Sequence, residues 1–76
     1  MKTKYVLSLE EDPLYVFDTL ADAEEMMASL IEDAMYEDFI HSVHWVIDMD
    51  VFKANVLPII KRSNYAYYVT EVSYFE

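Results

Sequence analysis

The sequence predicts an α+β domain: an N-terminal β-hairpin, two to three helices and a C-terminal strand, giving a small three-stranded antiparallel sheet with helices on one face. Three observations carry that prediction. Both ends of the chain are β-rich, its middle repeats apolar residues at helical spacing, and 76 residues with 55% apolar content suffice for one folded domain, 1–76. The aromatics (one Trp, seven Tyr, four Phe) argue for a packed core, since disordered acidic segments are poor in them.

The stretch KYVLSLEEDPLYVFD reads as two short strands joined by a polar turn at Glu10 to Pro13. Tyr5, Leu7 and Leu9 alternate with Val6 and Ser8. In the second strand Leu14 and Val16 oppose Tyr15 and Phe17, so both faces are apolar and a central or covered position is expected. The chain has no glycine, which disfavours the tight mirror-image turns and favours a longer loop or a type I turn at Glu11 to Pro13.

Thr19 has the position of a helix N-cap, with Asp22 three residues on, and a helix should start at Leu20. Leu20, Ala23, Met27, Leu30, Ile31 and Ala34 form one apolar stripe; Asp22, Glu25, Ser29, Glu32 and Asp33 lie away from it. From Tyr36 the phase changes. Tyr36, Phe39, Ile40, Val43, Val46 and Ile47 share a face turned by about half a revolution from the first at roughly 100° per residue. A break near Met35 and Tyr36 into two packed helices is therefore expected, the alternative being one long helix whose second half meets another subunit. Residues 43–51 also alternate like a strand, and periodicity leaves that reading open. Asp48 or Asp50 can cap a further helix that Pro58 must shorten or bend. Lys61, Arg62, Ser63 and Asn64 supply helix-end charge and a turn signal before a final strand within Tyr65 to Phe75, whose tyrosines can leave one sheet face partly open for dimerisation or docking.

Charge is the main functional clue. Between Tyr5 and Phe52 lie thirteen Asp and Glu and no Lys or Arg, and the net charge is -10. Such a block costs self-repulsion and suits solubility or a basic partner, while it disfavours direct binding to nucleic acid or to anionic lipid. No run approaches a membrane span or the apolar core of a signal peptide, and there is no cysteine for disulfides, thiolate metal sites or thiol catalysis. A cytoplasmic setting is expected. Without glycine the phosphate-cradling loops cannot be built, and no serine, histidine and carboxylate show nucleophile spacing, so no enzyme activity and no cofactor are expected.

The candidate partner-binding residues are Asp22, Glu24, Glu25, Glu32, Asp33, Glu37 and Asp38 on the helix, with Trp45, off the apolar stripe, as an aromatic anchor or equally as a cover for the end of the sheet. Glu24 with Glu25 and Glu32 with Asp33 form acidic pairs about 12 Å apart along a helix, comparable with part of a phosphate track that repeats at about 3.4 Å. An ordinary solvated face would satisfy the same pattern, but such faces usually mix signs and this one lacks interleaved Lys. Glu37, His41, His44 and Asp48 fall at i, i+4, i+7 and i+11, a spacing that gathers donors on one helical side; one helix seldom wraps an ion, and no metal is expected. The methionines Met26, Met27, Met35 and Met49 read as core filling.

KYVLSLEEDPLYVFDTLADAEEMM, the acidic helical stretch after it and the closing YYVTEVSYF together resemble the small acidic hairpin-helix-strand proteins of bacteriophages and mobile elements, among them inhibitors of host defence including anti-CRISPR proteins. The resemblance covers most of the chain in layout and charge and carries over no individual residue. It implies a protein in the host cytoplasm that blocks a nuclease, or another nucleic-acid-handling factor, by occupying its basic groove. The sequence thus points to a non-enzymatic inhibitor that mimics nucleic acid; the alternative is a homodimeric structural, assembly or regulatory module whose acidity serves solubility.

Overall fold

The computed structural model describes residues 2–60 and 64–75. The elements are β1 (Lys2–Leu9), β2 (Asp12–Phe17), α1 (Leu20–Val43), the short α2 (Met49–Val51) continued by a π-helical turn (Phe52–Val56), and β3 (Tyr67–Tyr74). The fold is α+β, and the three strands form an antiparallel sheet in the order β2-β1-β3. Lys61, Arg62 and Ser63, read above as helix-end charge and turn signal, lie outside the described residues.

β1 is central, paired with β2 along one edge and β3 along the other, and carries two buried residues, Leu7 and Ser8; Tyr5 and Leu9 share the face of Leu7. β2 is an edge strand with Leu14, Tyr15 and Val16 exposed, which corrects the expectation of a covered position. Apolar residues on both its faces reflect a surface left in water, not two covering layers. The hairpin also departs from the predicted turn. Leu9 pairs with Asp12, leaving a two-residue loop in which Glu10 has φ 55°, the positive first position of a type II′ turn. A second tight turn spans 64–67, with φ 52° at Tyr65, 66° at Ala66 and the Tyr67 amide donating to the Asn64 carbonyl at 2.8 Å. Mirror-image turns therefore form without glycine. They brace one another, since the Glu10 amide donates to the Ala66 carbonyl at 3.0 Å.

Helix α1 starts where its cap predicts: the Asp22 amide donates to the Thr19 hydroxyl at 3.2 Å. It does not break at Met35 and Tyr36 but runs unbroken for 24 residues. The reason is geometric. Its inward residues are Ala23, Met27, Ile31, Met35 and Phe39, an i+4 series. Each four-residue step advances the direction by about 40°, so one continuous ridge winds about 160° around the helix and joins both apolar faces. The first half of the ridge meets the sheet. The second half is covered by the same chain, not by another subunit: Phe52 is fully buried, with Tyr36 edge-on at 5.4 Å and Phe39 at 5.6 Å between ring centroids. Leu20, placed in the core by the sequence, is exposed.

His44, at φ 54°, ends α1 in the left-handed region, and residues 45–48 are neither helix nor strand. The Tyr36 hydroxyl donates to the Ile47 carbonyl and ties this loop to the helix. The following segment is short and bent, as Pro58 requires. The π-turn closes with the Leu57 amide on the Phe52 carbonyl at 2.9 Å, and Pro58 has no N–H with which to continue the ladder. Phe52 and Leu57 thereby share the face that seals the core with Ile31 and Met35.

Candidate acidic interface

Opposite the buried ridge of α1, two residues later at each step, runs a second i+4 series: Glu25, Ser29, Asp33, Glu37 and His41. All five are exposed. Two positions amount to about 200°, so burial of the first ridge forces the second outward. Along the axis Asp33 lies about 12 Å from Glu25 and about 6 Å from Glu37. Asp22 and Glu24 are also exposed and flank the start of the ridge, near the N-terminal end of the helix dipole, where carboxylates are favoured.

The predicted pairs do not act as pairs. Adjacent residues diverge by about 100°, so Glu25 and Asp33 stand on the ridge while Glu24 and Glu32 point to its sides. Glu32 is drawn inward, its carboxylate 3.7 Å from the Lys53 ammonium and its side chain 23% exposed. A lysine distant in sequence thus enters the face that the local sequence shows as free of cations. Asp38 accepts from the Tyr65 hydroxyl, and that bond raises the Tyr65 pKa above the usual tyrosine value, with burial and the Asp38 charge adding to it. Among the described residues, none makes an ion pair with Glu25 or Asp33. Of the seven predicted acids only Glu32 is drawn into the fold; Asp22, Glu24, Glu25, Asp33 and Glu37 are on display, and Asp38 is exposed as well but tied to Tyr65.

Beside the first two turns of α1 lies an open concavity of about 300 Å³, lined by Phe17, Asp22, Glu25, Met26 and Ser29. The helix residues have spacing i, i+3, i+4 and i+7, and Phe17 closes the cavity from the end of β2. A phenyl ring, a thioether and two carboxylates match an aliphatic stem ending in a positive charge. Sequence reading placed Asp22 and Glu25 on the acidic face and missed Phe17 and Met26 as its apolar complement. The helical spacing could have supplied Met26; contact with β2 could not be read from it.

Trp45 is 69% exposed in the loop after α1, with Val43 and Val46 exposed on either side in sequence. It is not cover for the sheet. The fourfold set of Glu37, His41, His44 and Asp48 does not assemble, because α1 ends at Val43; Glu37 and His41 remain a helical pair at 3.7 Å. Among the described residues no group of three or more potential ligands can hold a metal ion, and no helix is long and apolar enough to cross a membrane.

No protein-family model, curated protein or solved structure matches this chain.

Proposed function

We propose that this protein is a non-enzymatic inhibitor that lays the acidic ridge of α1 into the basic nucleic-acid-binding groove of another protein, a host nuclease or other defence factor, as a nucleic-acid mimic encoded by a phage or mobile element. The observation that carries this reading is the exposed line of Glu25, Asp33 and Glu37, interrupted only by the small polar Ser29 and flanked by Asp22 and Glu24, on a 24-residue helix. Such a helix is about 36 Å long, and its ridge carboxylates are separated by distances near two and four phosphate steps of about 3.4 Å each. A rigid helix holds these charges without the ordering cost of a flexible acidic tail. The concavity at Phe17 and Met26 would seat a basic side chain of the groove, and Trp45 beyond the helix end supplies an aromatic contact.

Affinity capture from a bacterial lysate tests the reading. Immobilised protein should retain nucleic-acid-binding proteins at low salt and release them with duplex DNA or with added salt. The E25K/D33K/E37K variant should lose that retention, whereas Glu32→Gln, which alters an acid bound into the fold, should keep it. Retention unaffected by both DNA and the triple reversal would refute the mimicry.

A further inference from the structure

We propose that the concavity beside the first two turns of α1 is a binding site for a single arginine side chain, and that it prefers arginine to lysine. The source of that arginine, the basic groove of a protein partner, rests on the reading of α1 given above; the site itself does not.

The walls come from two elements. Phe17, half-buried at the end of β2, forms one side, and Asp22, Glu25, Met26 and Ser29 of α1 form the other. The Tyr15 ring lies 6.2 Å from that of Phe17, so the phenyl group has an aromatic neighbour on its own strand. Along the helix axis Asp22 and Glu25 are about 4.5 Å apart, and Ser29 lies about 6 Å beyond Glu25. The carboxylates thus stand together at the N-terminal end, and Met26 supplies apolar surface between them and the hydroxyl.

Both carboxylates are uncommitted. Among the described residues no cation pairs with either, and Lys4, one strand over from the end of β2, is bound to Asp18, which is not part of the lining. Like charges about one turn apart on a helix repel, and a cation set between them relieves that repulsion.

The lining selects the kind of cation. A bare divalent ion finds too few donors, since no group of three or more potential ligands occurs among the described residues. An apolar ligand would desolvate two carboxylates without pairing them. A volume of about 300 Å³ equals about ten waters at about 30 Å³ each, room for a side chain with an apolar stem. Guanidinium suits such walls better than ammonium. It is planar and weakly hydrated, and its five N–H donors can reach carboxylates on separate edges while its face lies against a phenyl ring. An ammonium is compact and strongly hydrated, and sheds its water at greater cost to touch phenyl and thioether. The positive end of the helix dipole opposes any cation here, which makes both carboxylates necessary. In a groove that binds nucleic acid, arginine is the side chain that grips phosphate with two parallel hydrogen bonds, so its capture would withdraw a phosphate contact.

Amide chemical shifts followed during titration with N-acetyl-arginine methylamide, and with its lysine and citrulline counterparts at matched ionic strength, test the proposal. The arginine compound should give saturable shifts centred on Phe17, Asp22, Glu25, Met26 and Ser29, with a dissociation constant on the order of 10 mM. The lysine compound should bind about threefold or more weakly, and citrulline, similar in shape but uncharged, should not bind. D22N/E25Q should abolish binding, and Phe17→Leu should level arginine with lysine, the remaining shifts reporting an intact fold. Equal affinity of the parent for arginine and lysine would overturn the site, as would binding of citrulline or shifts that extend equally to Asp33 and Glu37. The titration contains no partner, so it fails separately from the mimicry. Capture of nucleic-acid-binding proteins without arginine binding would refute the site and leave the ridge; arginine binding without such capture would uphold the site and refute the groove as the source of its ligand.

Discussion

Four of the described residues carry positive φ in a chain without glycine: Glu10, His44, Tyr65 and Ala66. Each Cβ then crowds a neighbouring carbonyl, at about 1–2 kcal/mol per residue, and the turns persist because hydrogen bonds hold them. Ala66 is the simplest case, having no side-chain partner to lose. Ala66→Gly should therefore raise stability by about 0.5–1 kcal/mol, read from chemical denaturation; an unchanged midpoint would show that the turn relaxes away from the left-handed region. Its neighbour Tyr65 answers to pH. The Tyr65 hydroxyl donates to Asp38, which holds its pKa above the ordinary value of 10.0. A raised folded-state pKa contributes stability that is complete below the unfolded value and is lost as pH rises through the folded one. The melting temperature should thus fall above about pH 10, and Tyr65→Phe should lower it at neutral pH while removing that part of the alkaline decline.

At the scale of elements, the structure turns on how α1 is covered. Its N-terminal half rests on the sheet, and its C-terminal half depends on Phe52, a fully buried ring on a separate short segment. Phe52→Ala should cost about 3–5 kcal/mol, comparable with the whole stability of a domain this small. The milder Phe52→Leu is the informative variant: amide exchange at Tyr36, Phe39 and Ile40 should accelerate while Ala23, outside the Phe52 cluster, keeps its protection. Uniform acceleration along the helix would mean that α1 unfolds as one unit. The same segment explains what could be read from the sequence. Thr19 as cap, Leu20 as helix start and the β-rich ends were legible because each rests on neighbours a few residues apart. The continuity of α1 was not, because two half-stripes look like two helices until something distant covers the second, and Phe52 does so. Nor was the pairing of Glu32 with Lys53, since no local rule brings residues 21 apart together. The edge position of β2 was hidden for a related reason: a strand apolar on both faces suits a covered place and an exposed docking edge alike.

At the scale of the whole molecule, shape and charge act together. The chain extends over 50 × 23 × 17 Å with a radius of gyration of 15.2 Å, against about 11.4 Å for a compact domain of this length. Its accessible surface is 5633 Å², about 800 Å² above the scaling value for a 9.0 kDa monomer. An elongated form spreads like charges apart and lengthens the acidic ridge, at the expense of core. Salt should separate the two roles of that charge. Screening lengths fall from about 30 Å at 0.01 M to about 8 Å at 0.15 M, shorter than the ridge itself. Self-repulsion among the carboxylates is relieved over that interval, so the melting temperature should rise, by about 4–8 °C for each kcal/mol gained. Capture of a basic partner should weaken over the same interval, because its affinity draws on the unscreened field. Opposite signs in the two measurements would assign the acidic ridge to recognition at a cost in stability. A melting temperature that falls with salt would instead mean that the pairs Lys4–Asp18 and Lys53–Glu32 outweigh the repulsion, and that the ridge imposes no such cost.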